Sequence, residues 1–184
     1  MDTEGLLKSL NAHDVDYVII GATAFPVYGY SRATLDIDIL ILPTEENAQK
    51  TLNSLRDFGY DISDITVADL LSKKILIRQY ILETDIHPFV KGISVDEIWK
   101  NKVAGKIGET PCYFASLDDL IRMKKAAVRQ KDKQDLKILL KIKKRLDSGS
   151  KKSPLPLLGG GGRGGLKILI NETPPQSSPK RGGE

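Results

Sequence analysis

Asp36-Ile37-Asp38-Ile39-Leu40-Ile41 constrains this chain more than any other stretch. Side chains alternate across a strand, so residues two apart point to the same side. Read as a strand over Leu35 to Leu42, the segment sets Asp36 beside Asp38, while Ile37, Ile39 and Ile41 face the other way. Pro43 stops it. Two adjacent carboxylates repel one another and are costly to desolvate. A folded chain holds such a pair where a cation or a basic partner lies between them. Magnesium is one solution, because it takes oxygen ligands and is held by one or two carboxylates plus substrate phosphates. An exposed strand face paired with Arg32 or a lysine is another, and the Asp-x-Asp spacing alone fits both.

What precedes the aspartates narrows the choice. Tyr17-Val18-Ile19-Ile20 is rich in β-branched residues, reads as a buried strand and is ended by Gly21. Ala22 to Tyr28 then reads as a short helix, with Pro26 tolerated only in the first turn or at a kink. Backbone amides at such a helix start can receive phosphate oxygens, and glycine lets a ligand come close. A plain strand-to-helix turn has the same sequence. Arg32 can neutralise a phosphate or simply hold the loop.

The remaining elements alternate in type. Leu6, Leu7 and Leu10 give one face of a first helix, and Thr44 caps a helix to about Phe58 with Leu52 and Leu55 inward. Ile75 to Leu82 and Thr84 to Val90 read as two strands, and the pattern also fits the second as a continuation of the first. Val95 to Trp99 reads as a helical turn, and Lys102 to Phe114 as a hairpin around Gly108. Ser116-Leu117-Asp118-Asp119 resembles a capping box opening a helix to about Gln130, and a last helix runs from Asp132 to Leu146. The class is α/β (α+β).

Composition changes near Asp147. Residues 1–147 suit one globular domain, in a chain of 184 residues that is 40% apolar and 28% charged. Residues 148–184 are rich in Gly, Pro and Ser and are expected to be a disordered tail, with Leu166 to Ile170 a stray strand candidate among glycines. Cys112 is the sole cysteine, which excludes an internal disulfide and a Cys-based zinc site. The apolar runs are too short for a bilayer and Met1-Asp2-Thr3-Glu4 is unlike a signal peptide, so a cytoplasmic protein with no membrane partner is expected. The basic run Lys137, Lys141, Lys143, Lys144 and Arg145 reads as a solvated helix face, or as an attraction for RNA phosphates.

Taken together, Ile20-Gly21-Ala22, the stretch Thr23 to Leu35, and Asp36-Ile37-Asp38-Ile39 resemble the DNA polymerase β-like nucleotidyltransferase superfamily. Gly29, Arg32 and Thr34, with Ser116-Leu117-Asp118-Asp119-Leu120-Ile121, Lys124, Arg129, Lys131-Asp132 and Asp135, resemble its bacterial abortive-infection and toxin–antitoxin branch. The resemblance spans roughly residues 5–145. It implies a nucleotidyltransferase fold: a small mixed sheet flanked by helices, with C-terminal helices. It also implies metal-dependent transfer of a nucleoside monophosphate from an NTP to a hydroxyl on RNA, protein or a small molecule. Catalytic and metal-binding roles (Mg²⁺ or Mn²⁺) fall on Asp36, Asp38 and a third carboxylate, for which Asp85 is the choice. Glu83 shares strand parity with Asp85, as does His87, a possible phosphate contact. Nucleotide contacts fall on Gly21, Ala22, Thr23, Arg32 and Lys124. The branch also implies a partner protein from a neighbouring gene, and a non-catalytic member of a toxin–antitoxin pair is the alternative. Ala22 departs from the usual Gly or Ser there: it keeps the backbone amide and loses a hydroxyl.

Overall fold

The described strands all join one mixed sheet. The computed structural model describes residues 2–127 and 129–148, together with the backbone of Ile168 and Leu169. Its elements run α1 (Thr3–Ala12), β1 (Tyr17–Ile20), a 3₁₀ helix (Gly21–Tyr28), β2 (Asp36–Ile41), α2 (Glu45–Phe58) and α3 (Val67–Ser72). They continue with β3 (Ile75–Ile77), β4 (Glu83–His87), α4 (Val95–Asn101), β5 (Val103–Ile107), β6 (Thr110–Phe114), α5 (Leu117–Ala126), α6 (Gln130–Asp147) and β7 (Ile168–Leu169). The sheet order is β3-β4-β2-β1-β6-β5-β7. β2 runs parallel to β4 and β1 parallel to β6, while the other neighbours are antiparallel. The α+β class with a mixed sheet is therefore established. No helix among the described residues is long and apolar enough to cross a membrane.

Burial follows the alternation in β2. Ile37, Ile39 and Ile41 are buried, while Asp36 and Asp38 are half-buried on the opposite face. Leu6, Leu7 and Leu10 of α1 and Leu52 and Leu55 of α2 join the same core as Ile19, Phe25 and Phe114. Each fully buried aliphatic side chain of this kind contributes about 1.5–3 kcal/mol relative to exposure. Thr44 caps α2 by accepting the Asn47 amide, and Gly59 closes it in the left-handed conformation. Buried Asn47 then ties that helix start to β1, bonding both the amide and the carbonyl of Asp16.

Four local features differ from the sequence pattern. The segment Gly21–Tyr28 is 3₁₀ rather than α, which accommodates Pro26 inside it. α3 is an extra helix, opened by a capping box between Thr66 and Asp69. β3 and β4 are separate and short, with Gln79 and Tyr80 turned back onto Asp61 and Gly59. α5 ends at Ala126 instead of near Gln130, because Ala127 is extended. Ile168–Leu169, within the stretch read as a stray strand, pairs antiparallel with β5. The rest of the tail expected to be disordered, 149–167 and 170–184, lies outside the described residues.

Candidate metal and phosphate site

The parallel pairing of β2 with β4 places the acidic groups. Asp38 is in register with Asp85, and Asp36 with Glu83, so all four carboxylates occupy one face of two adjacent strands. Neighbouring strands lie about 4.8 Å apart. One ligand atom from each of Asp38, Asp85 and His87 falls within 4.8 Å of the others. His87 Nε2 is 2.9 Å from Asp38 Oδ1. Asp36, expected to share the metal with Asp38 and Asp85, is one position further along and outside this trio.

Each carboxylate has a different environment. Asp85 is 3% exposed, so its charge needs compensation. Lys74 contacts its Oδ2, and Arg78 Nη2 lies 2.6 Å from its Oδ1. The Arg78 contact is an ion pair off the hydrogen-bond line, and Oδ1 has no hydrogen-bond partner among the described residues. Arg78 also reaches Glu83, with Nε 2.9 Å from Oε2. Lys74 Nζ is 3.9 Å from Asp38 Oδ1 and so stands between the two aspartates. Burial would raise the Asp36 pKa, but hydrogen bonds from Thr34 and the backbone and the charges of Lys131 and Arg32 prevail, and the net shift is downward. Asp36 is therefore ionised at neutral pH and suits the role of a ligand better than that of a base.

The donor set fits a divalent cation. Lys74 and Arg78 offset Asp85 and Glu83, and Lys131 and Arg32 act on Asp36 through their charge, which leaves Asp38 with His87 at 2.9 Å and Lys74 only at 3.9 Å. An ammonium lodged between two acids, contacting Asp85 Oδ2 and 3.9 Å from Asp38 Oδ1, marks a place for positive charge. His87 adds a nitrogen donor, which widens the choice from Mg²⁺ toward Mn²⁺ and other first-row ions.

Gly21 is where the site meets the end of β1. Its φ of +65° lies in the left-handed region, and a Cβ built on it would collide with the Asp38 carboxylate. The glycine is thus required twice, for conformation and for close approach. Gly21→Ala is expected to destabilise the fold by at least about 1–2 kcal/mol, the cost of a left-handed alanine, and to displace the Asp38 carboxylate from its present position. Urea unfolding and metal titration of the variant measure both effects. Ala22 and Thr23 are buried behind this bend, and Thr23 donates to the Asp36 carbonyl at 3.2 Å.

Two expected nucleotide contacts are engaged elsewhere. Lys124 Nζ is 2.5 Å from Asp132 Oδ1 and 3.1 Å from Asp135 Oδ2. Arg32 Nε is 3.1 Å from Asp135 Oδ1, which Tyr30 also reaches at 3.2 Å. This half-sunken network joins the α5–α6 elbow to the loop ahead of Asp36. Lys124 is a bracing cation there, with its side chain 13% exposed, rather than a group projecting at a ligand. Lys137, Lys141, Lys144 and Arg145 are solvated on α6, and Lys143 pairs with Asp118.

Sequence reasoning missed Lys74 and Arg78. The sign of them is parity: Lys74, Leu76 and Arg78 alternate with buried Ile75 and Ile77, so a short edge strand presents its basic residues on the face of Asp85. A cavity of about 600 Å³ also went unread. It opens at the other end of β1, lined by Asp14, Asp16, Tyr17, Trp99, Cys112 and Tyr113, and shares no residue with the acidic site. The sequence matches no protein-family model and no curated protein.

Proposed function

We propose that this chain is a metal-dependent nucleotidyltransferase of the nucleotidyltransferase fold, moving a nucleoside monophosphate from an NTP to a hydroxyl acceptor on RNA, protein or a small molecule. The supporting observation is the in-register pairing of Asp38 with Asp85, completed by His87, beside the Gly21 bend. Asp38, Asp85 and His87 would hold the cation, with Asp36 adjacent for a second position. A bound divalent cation would neutralise charge on the triphosphate and stabilise the attacking and leaving oxygens. Gly21 lets the Asp38 carboxylate sit close against the end of β1, where a side chain would displace it. Arg32 and Lys124 act indirectly, fixing the loop that carries Thr34 and Asp36.

The test is transfer of label from an NTP onto candidate RNA, protein and small-molecule acceptors. Transfer is expected with Mn²⁺ or Mg²⁺ and is abolished by EDTA, and Mn²⁺ is expected to act at the lower concentration because of the nitrogen donor. Transfer that proceeds equally well in EDTA would remove the proposal. A second reading is favoured by one feature, the neutralisation of Asp85 by both Lys74 and Arg78. In it the chain is a non-catalytic partner of the same fold in a toxin–antitoxin pair. Tight binding of a neighbouring gene product, with no metal-dependent nucleotide binding, would support it.

A further inference from the structure

We infer that Lys74 is a built-in competitor for the metal position: its ammonium occupies the place between Asp38 and Asp85 that a divalent cation takes, and must leave for the cation to bind. The inference rests on the metal-site reading above and adds a residue that sets the site's affinity. Lys74 Nζ contacts Asp85 Oδ2 and lies 3.9 Å from Asp38 Oδ1. A divalent ion would approach the same oxygens to about 2.0–2.6 Å. Two positive centres cannot share that space, since each would repel the other at contact distance.

The surroundings make the exchange feasible. The Lys74 side chain is 37% exposed, and its flexible stem lets the ammonium swing out into water. Arg78 remains behind, held by Asp85 and Glu83 on either side, so Asp85 keeps one partner when Lys74 departs. The two cations on this edge therefore divide the work. Arg78 fixes the buried carboxylate, and Lys74 keeps Asp38 and Asp85 together until a metal replaces it. Once displaced, the ammonium stays tethered next to the site, where phosphate oxygens would arrive.

The experiment is a Mn²⁺ titration of the full-length protein without nucleotide, followed by loss of the free-ion EPR signal. Lys74→Met and Lys74→Gln are expected to bind Mn²⁺ about tenfold more tightly than the wild type, the low end of what one charge does beside a carboxylate. Lys74→Arg, which keeps the competing charge, is expected to stay near the wild type. Unchanged or weaker Mn²⁺ binding in both neutral variants would overturn the inference. Asp38→Asn is the control on the site itself. Should it bind Mn²⁺ as the wild type does, the metal-site reading fails; should it lose binding while the Lys74 variants remain level, only the competitor role fails. Circular dichroism confirms that each variant is folded.

Discussion

Asp38→Asn is expected to lower metal-dependent nucleotide transfer by on the order of 100-fold or more, with little change in folding stability. Groups that merely orient metal ligands cost roughly 10–100-fold when removed, so a ligand itself sets the floor at the upper end. Asp38 is the group on which the site converges: His87 at 2.9 Å, Lys74 at 3.9 Å, Asp85 in register and Gly21 beneath it. Asparagine keeps the shape and one oxygen and removes the charge. Asp85→Asn is a poorer probe, since it strands Lys74 and Arg78 beside a neutral buried group. Asp38 is half-buried, which limits the structural cost of neutralising it. Initial rates of label transfer, read alongside urea unfolding, make the comparison. A variant within about threefold of wild-type activity would mean that no transition-state interaction passes through this carboxylate.

The second large effect is on stability. Asp135→Asn is expected to cost about 3 kcal/mol, at the low end for removing one member of a buried ion pair. Asp135 is buried and answers two cations, Lys124 and Arg32, as well as the Tyr30 hydroxyl. After neutralisation Lys124 retains Asp132 alone, and Arg32 has no other carboxylate within 4.0 Å among the described residues. Such a loss is a large share of a typical domain's 5–15 kcal/mol. Lys124→Met is expected to be similarly costly, and the double variant to lose less than the sum of the two, because the pair shares one interaction. Urea midpoints for the three variants decide it; simple additivity would show that Asp135 and Lys124 contribute independently.

How far the sequence could be read depended on the range of the interaction involved. The parity of β2, the strand Tyr17–Ile20 and the caps at Thr44 and Ser116 are local, and the structure places them as the pattern predicts. Asp85 was legible as a buried carboxylate in need of a partner; its partners were not, because Lys74 and Arg78 meet it only through strand pairing. The break between α5 and α6 was legible near Gln130 and Asp132, but it falls earlier, after Ala126, where no Gly or Pro marks it. It is instead accompanied by Lys124 bonding across the elbow to Asp132 and Asp135. α3 was hidden for a different reason: six residues with one buried side chain, Leu70, give too little periodicity. The turn between β3 and β4 lacks the usual turn residues and is held by Gln79 and Tyr80 gripping the end of α2.

β3 is the outermost strand on its side of the sheet and only three residues long. An unpaired border of this kind invites a strand from another molecule, and proteins discourage that with short borders and long basic side chains. Lys74 and Arg78 flank β3 on both sides, so the side chains that neutralise Asp85 also guard the open rim against self-association. Charge at this rim thus both balances a buried acid and discourages strand addition, and an evolving chain is not free to tune one without disturbing the other.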